Sequence, residues 1–192
     1  LDRDGDLLRA YTVADGRWRL AVTPDQVDPG FTAALLAYED KRFYDHGGVD
    51  ARALMRAFAQ AVWNGRVVSG GSTLTMQVAR LLEESGTGKV AGKLRQMRVA
   101  LALERRLSKA EILELYLLLA PYGGNLEGIR AATLSYFGKE PRRLTPAQIA
   151  LLVAIPQSPE SRRPDRSVAR ATDARNRVLA RAERDGLIDK GE

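Results

Sequence analysis

Hydrophobic residues recur at helical spacing along most of the chain. Leu74, Val78 and Leu81, for example, lie at positions i, i+4 and i+7, which places them on one face of a helix. Residues 31–37 are almost entirely apolar and predict a helix that ends near Glu39. The pattern therefore favours a mainly α fold.

The predicted helices have recognisable starts. Thr23, Ser108 and Thr145 each stand three residues before an acid or amide, which is the spacing of a capping box. Asp50 is predicted to cap a helix over residues 51–63, and Asp165 one that runs to about residue 184. Glycines predict the intervening loops, at Gly70-Gly71, residues 86–92 and Gly123-Gly124.

Only the beginning of the chain has a β pattern. Residues 7–13 and 17–22 are β-prone and flank Ala14-Asp15-Gly16, and an Asp-Gly pair between such runs predicts a hairpin. We therefore expect a hairpin and lead-in over residues 1–30, one helical domain over residues 31–184, and a tail over residues 185–192.

Composition excludes several kinds of chemistry. The 192 residues include no cysteine and one histidine, His46, which excludes disulfides, a thiolate nucleophile and a His/Cys metal centre. Uncharged runs such as residues 115–126 are shorter than the ~18 residues that a membrane span requires. Any reaction must therefore depend on carboxylates, hydroxyls, amides and cations.

The charge balance points to an anionic partner. Thirty lysines and arginines against 24 acids give a net charge of +6, which suits phosphate, pyrophosphate, nucleic acid or an anionic membrane. No nucleic-acid-binding module is recognisable, so we expect no nucleic acid partner. Residues 84–90 resemble a phosphate-binding loop only faintly, because Val90 replaces the Ser/Thr that would reach magnesium.

Two segments carry candidate chemistry. The first places adjacent carboxylates, Glu39 and Asp40, at the end of an apolar helix, followed by Phe43 and His46. Adjacent residues do not share a helix face, so we expect one carboxylate to reach a cleft and the other to anchor the turn. A helix C-terminus with solvated charges is the alternative.

The second segment begins with glycines and hydroxyls, Gly70-Gly71-Ser72-Thr73, at a predicted helix start. Free backbone N–H groups and the helix dipole favour an anion there. Gln77 and Arg80 follow Thr73 on one face of that helix, and Lys93 lies in a later cationic stretch. An ordinary capped amphipathic helix is the alternative.

Taken together, the motifs resemble the peptidoglycan glycosyltransferase domain of class A penicillin-binding proteins, and most closely its 1C branch. The resemblance covers residues 2–184. Its pattern E-D-x-x-F-x-x-H-x-G is matched by Glu39-Asp40, Phe43, His46 and Gly48, and its G-x-S-T-x-x-x-Q by Gly70, Ser72-Thr73 and Gln77. Downstream matches are Glu111-Ile112-Leu113, Tyr116-Leu117, Gly123-Gly124, Gly128-Ile129 and Tyr136-Phe137-Gly138-Lys139.

This resemblance implies a lysozyme-like, two-lobed helical domain that polymerises lipid II into glycan strands. It implies work at the outer, periplasmic face of the bacterial cytoplasmic membrane, with an anchor outside this chain. Lipid II, the growing glycan and the membrane surface would be its partners, and other cell-wall synthesis proteins could join them. The apolar residues 54–68, with Phe58 and Trp63, match the part that dips into the membrane.

The resemblance also implies roles for individual residues. Glu39 would be the catalytic base, and undecaprenyl pyrophosphate would leave with inversion at the donor sugar. Substrate-binding positions carried over are Asp40, Phe43, His46, Ser72, Thr73, Gln77, Arg80, Lys93 and Gln96. Of these, Asp40, Phe43 and His46 would shape and support the base.

Gln96 departs from the family pattern R-K-x-x-E, in which a carboxylate stands at this position. An amide can hydrogen-bond a sugar or phosphate but binds a metal weakly. We therefore expect no required cofactor, although Mg²⁺ or Mn²⁺ could accompany the substrate pyrophosphate. Two alternatives stay open: a catalytically weakened, membrane-docked scaffold, and a lysozyme-like hydrolase with Glu39 as proton donor.

Overall fold

Helices make up most of residues 11–64, 71–83 and 90–188, which are the residues described in this computed structural model. The α-helices are α1 (Pro29–Glu39), α2 (Ala51–Asn64), α3 (Leu74–Glu83), α4 (Val90–Glu104), α5 (Lys109–Leu119), α6 (Ile129–Phe137), α7 (Pro146–Ala154), α8 (Pro159–Arg162) and α9 (Val168–Arg184). The prediction of a mainly α fold is confirmed.

Several helix starts lie where the capping signals predicted them. The Thr145 hydroxyl accepts from the Gln148 N–H at 3.3 Å, and the Gln148 side chain accepts from the Thr145 N–H at 3.0 Å. Asp50 caps α2 by accepting from the Ala53 N–H at 3.0 Å. These contacts satisfy amides that have no partner inside the helix.

Three local predictions need correction. Thr23 begins only a one-turn 3₁₀ helix, Pro24–Gln26, and α1 starts after Asp28, because a residue before proline is disfavoured in the helical region. Ser167, not Asp165, caps α9, since the Asp165 carboxylate is bound to Arg163. Gly92 lies inside α4 and not in a loop; residues 86–89 lie outside the described residues.

A three-stranded sheet contains β1 (Trp18–Arg19), β2 (Pro121–Gly123) and β3 (Leu126–Glu127), in the order β1-β3-β2. The predicted turn after Val13 is present, with the Val13 N–H donating to the Arg17 carbonyl at 2.9 Å. β1, however, pairs with β3, in parallel, and residues 7–10 lie outside the described residues. The sheet therefore joins segments about a hundred residues apart.

The chain divides into two compact units. A central unit comprises Leu35–Tyr116, and a terminal unit comprises Leu1–Ala34 with Leu117–Glu192. In the central unit, Met76, Ala79 and Ala100 form a core cluster where α3 packs on α4. In the terminal unit, α7 packs on α9, and the core side chains there include Phe31, Tyr122, Ile129, Leu152 and Ile155.

Candidate active site

The two adjacent carboxylates at the end of α1 have different surroundings. Glu39, the last residue of α1, is half-buried, and its Oε2 accepts a hydrogen bond of 2.8 Å from Gln77 Nε2 on α3. Asp40 is buried and accepts from the Leu74 N–H at 2.9 Å. The predicted division of labour is therefore present: Asp40 anchors the chain and Glu39 remains the accessible carboxylate.

His46 donates a hydrogen bond to the Asp40 carboxylate. Its Nε2 lies 3.0 Å from both Asp40 carboxylate oxygens, while its Nδ1 accepts from the Gly48 N–H at 3.2 Å. Because Nδ1 accepts, the ring proton must be on Nε2. The His46 side chain is only 4% exposed, so it stabilises Asp40 from inside the protein.

Thr73 connects this loop to the start of α3. Its hydroxyl donates to the Gly48 carbonyl at 2.6 Å and accepts from the Met76 N–H at 3.1 Å. The side chain is buried, and its hydroxyl is engaged on both sides. These contacts give Thr73 a structural role that joins the loop to α3, and its role as a substrate-binding residue stays a prediction.

The start of α3 differs from the predicted backbone site for an anion. The Leu74 N–H donates to the Asp40 carboxylate and the Met76 N–H donates to the Thr73 hydroxyl, so both amides already have partners within the protein. The dipole and amides of α3 thus stabilise the buried Asp40 carboxylate instead. Gly70, the first residue of the motif, lies outside the described residues.

Two cationic side chains and a hydroxyl lie together on α4, on α3 and just before α3. Lys93 Nζ, on α4, donates to the Ser72 hydroxyl. Burial, together with the positive charge of Arg80 on α3, lowers the pKa of Lys93. Two cations and a hydroxyl that converge in partial burial favour a bound polyanion, because it would relieve both the repulsion and the desolvation. We call these residues the Ser72–Arg80–Lys93 cluster.

Gln96 lies on α4, one turn after Lys93, and is buried. Among residues 11–64, 71–83 and 90–188, no group of three or more His, Asp or Glu side chains is arranged to hold a metal ion. The two side chains known to act on Lys93, Ser72 and Arg80, supply no carboxylate of the kind that a divalent cation prefers.

A partly buried network beside the loop contains residues that the sequence did not reveal. Lys109, at the start of α5, donates to the His46 carbonyl and to Glu104 Oε1, each at 2.6 Å. Its ammonium also lies 4.5 Å from the centroid of the Phe43 ring, within the range of a cation–π contact. Glu104 in turn accepts from the Thr75 hydroxyl at 2.7 Å. Phe43, itself buried, is therefore part of the support for the loop.

An ion pair closes the other side of this loop. Arg42 donates to both Asp50 oxygens, at 3.0 and 2.8 Å. Burial acts to raise the pKa of Asp50, but the Ala53 N–H and the Arg42 charge outweigh it and hold the pKa below 3.8. The loop between α1 and α2 is thus fixed at both ends by buried carboxylates, Asp40 and Asp50.

The described part of the apolar stretch 54–68 presents large apolar side chains to solvent. Met55 and Trp63, on α2, are 73% and 91% exposed, and Arg52 and Arg56 are exposed beside them. Residues 65–68 lie outside the described residues, as does the placement of the Phe58 side chain. In the described part of the chain, no helix has the length and apolar character to cross a bilayer.

Comparison with known proteins places the chain. A family model described as Transglycosylase matches residues 4–183. The chain belongs to the transglycosylase family. Penicillin-binding protein 1C of Escherichia coli K12 is 50% identical over 179 residues, which are 93% of this chain and 23% of that protein. Penicillin-binding protein 1A of the same strain is 37% identical over 185 residues, which are 96% of this chain and 21% of that protein.

The fold has a counterpart among solved structures. The crystal structure of penicillin-binding protein 1A from Haemophilus influenzae matches with a TM-score of 0.53 and 23% identity, covering 91% of this chain and 16% of that one. The resemblance read from the motifs is therefore confirmed for family and fold. This transglycosylase domain spans less than a quarter of the length of these relatives.

Proposed function

We propose that this domain is a peptidoglycan glycosyltransferase that polymerises lipid II into glycan strands. One observation carries the proposal: α3 bears both Gln77, which holds the Glu39 carboxylate, and Arg80, whose charge acts on Lys93. Two side chains of α3 thus act on the carboxylate that would serve as the base and on the lysine that would bind the leaving group. Membership in the transglycosylase family supports the same reaction.

In this mechanism Glu39 accepts the proton from the C4 hydroxyl of the acceptor N-acetylglucosamine. That oxygen attacks the anomeric carbon of the donor with inversion, and undecaprenyl pyrophosphate departs. Gln77 orients Glu39 by donating to Oε2. The Ser72–Arg80–Lys93 cluster stabilises the charge that develops on the pyrophosphate, and Gln96 hydrogen-bonds the substrate beside it.

We further propose that the reaction uses no metal held by the protein alone. The cationic cluster supplies charge that a metal would otherwise supply, and Mg²⁺ or Mn²⁺ would enter only with the substrate pyrophosphate. EDTA should therefore leave binding of the phosphoglycolipid moenomycin, an inhibitor that presents a phosphate, within about twofold of its untreated value. Loss of that binding, restored by Mg²⁺, would show a resident metal.

The substrate places the domain at a membrane. We propose that the exposed Met55–Trp63 face of α2 docks on the outer, periplasmic face of the bacterial cytoplasmic membrane. Apolar side chains flanked by Arg52 and Arg56 suit the boundary between acyl chains and anionic headgroups. The lipid tail of the substrate would then enter beside this helix, and other cell-wall synthesis proteins could assemble nearby.

The test is polymerisation of labelled lipid II by the purified domain. Glu39→Gln should lower the rate about 10²–10⁴-fold with an unchanged circular dichroism spectrum, because general-base removal typically has that effect. Lys93→Ala should weaken both turnover and moenomycin binding, since it removes a charge-assisted contact. Arg98→Ala is the matched control: an exposed cation on the same helix, whose loss should change neither.

The outcomes separate the candidate functions. A hydrolase needs no pyrophosphate site, so cleavage of glycan that is unaffected by Lys93→Ala would favour that alternative. An inert domain that Gln96→Glu activates would favour the scaffold. Normal polymerisation by folded Glu39→Gln would exclude Glu39 as the base.

A further inference from the structure

A cavity of about 510 Å³ opens in the terminal unit, among β1, β3, α6 and the segment after α8. Its lining contains none of the candidate active-site residues, which all belong to the central unit. Its volume is within the range of small-molecule binding sites.

One wall of the cavity follows from the alternation of side chains along β1. Trp18 and Leu20 line the cavity, whereas Arg17 and Arg19 both bind Glu127. The parallel pairing with β3 sets Trp18 opposite Leu126, which also lines the cavity. The sheet therefore presents an indole ring and two leucines on the same face.

Another part of the lining is polar and is held in place by internal hydrogen bonds. Arg163 donates to Asp165 at 3.0 and 2.5 Å, and its alkyl chain lies where a Cβ on Gly123 would collide with it. The Tyr136 hydroxyl donates to the Tyr122 carbonyl at 2.7 Å, and burial raises the pKa of Tyr136 to about 12. Tyr136 therefore stays protonated at neutral pH.

We propose that this cavity binds a short neutral saccharide. The charged groups of its lining, Arg163 and Asp165, bind each other, so the cavity favours an uncharged ligand. A pyranose ring has an apolar C–H face and a rim of hydroxyls, which matches a lining that contains both an indole ring and hydrogen-bonding groups. Asn125 and Ser135, which are both exposed, add polar groups to the lining.

The choice of sugar rests on the proposed function. A domain that makes β-1,4-linked glycan would use such a cavity to hold N-acetylhexosamine units of its product. Binding itself needs neither Glu39 nor lipid II. The proposal of a saccharide site and the proposal of glycan polymerisation can therefore be refuted independently of each other.

The chain's tryptophan content makes a direct test possible. Trp18 and Trp63 are its two tryptophans, so Trp63→Phe leaves Trp18 as the fluorescent reporter. Titration with soluble N-acetylglucosamine tetramer should give a saturable change with a Kd of about 1 mM or tighter, a range typical of weak single-site ligands. Glu39→Gln should bind equally well.

A blocking variant keeps the test independent of folding. Ser135→Tyr adds a ring at the exposed mouth and should weaken binding at least about tenfold, whereas Ala180→Tyr, exposed on α9 and outside the lining, should not. Absence of a saturable change at ~10 mM tetramer would overturn the proposal. So would equal affinity in Ser135→Tyr, or tighter binding of a neutral peptide than of the tetramer. Binding by a domain that does not polymerise would leave the cavity proposal standing and defeat only the function.

Discussion

Gly48 lies at the centre of the loop that supports Glu39, and its replacement gives a sharp prediction. Its φ is +95°, and a Cβ there would lie 2.7 Å from the Ala100 carbonyl oxygen and 2.9 Å from its carbon. Both obstacles are backbone atoms of α4, which no rotamer change can move. Gly47, the preceding residue, has open space around its Cβ position, so Gly47→Ala is a matched control.

The expected loss of unfolding free energy has two sources, the strained backbone at a positive φ and the steric overlap of the new methyl group with α4. Strain from a positive φ costs about 1–3 kcal/mol, and forcing a methyl group into packed structure costs about 1–3 kcal/mol more. Gly48→Ala should therefore lower the free energy of unfolding by roughly 2–6 kcal/mol. For a domain of this size, that corresponds to a Tm lower by about 4–24 °C.

The effect should extend to activity. The Gly48 carbonyl accepts from Thr73, and its N–H donates to His46, which holds Asp40. A displaced Gly48 shifts these contacts, so polymerisation should fall at least about tenfold below that of Gly47→Ala at a temperature where both are folded. Urea denaturation and lipid II turnover measure the two effects. Unfolding free energies within 1 kcal/mol of each other would refute the packing argument.

Two other variants test the surrounding network. Lys109→Met should destabilise the domain by about 3 kcal/mol, because it leaves the largely buried Glu104 carboxylate without its cation. The variant should also slow polymerisation while moenomycin binding persists. Lys109→Arg should recover part of both losses, and equal losses in the two variants would argue against the ion pair. The lowered pKa of Asp50 contributes stability that is complete above pH 3.8 and is lost as pH falls through the folded-state pKa. Asp50→Asn should therefore flatten the acid limb of a curve of unfolding free energy against pH. An unchanged limb would contradict this assignment.

Relations between neighbouring residues were predictable where local chemistry decides them. The Thr145 capping box and the Asp50 cap depend on contacts three residues apart, so the side chain and the amide it binds are read from the same short segment. The same holds for the separation of Glu39 from Asp40, which follows from helix geometry alone. Asp165 shows the limit: it is a good capping residue, but Arg163 binds it, and Ser167 caps α9 instead.

Patterns along the chain were thus enough to predict the helical content, several helix starts, the family and the residue expected to act as base. Tertiary structure decided what each polar group binds. Asp40 accepts a hydrogen bond from an amide of α3 that the glycine and hydroxyl pattern alone would assign to a substrate anion. Lys109 donates to the carbonyl of His46, which lies 63 residues earlier in the chain. β1 likewise finds its partner more than a hundred residues away. The physical reason is that capping and periodicity depend on neighbours along the chain, whereas a buried charge takes whichever partner the packed fold brings within hydrogen-bond distance.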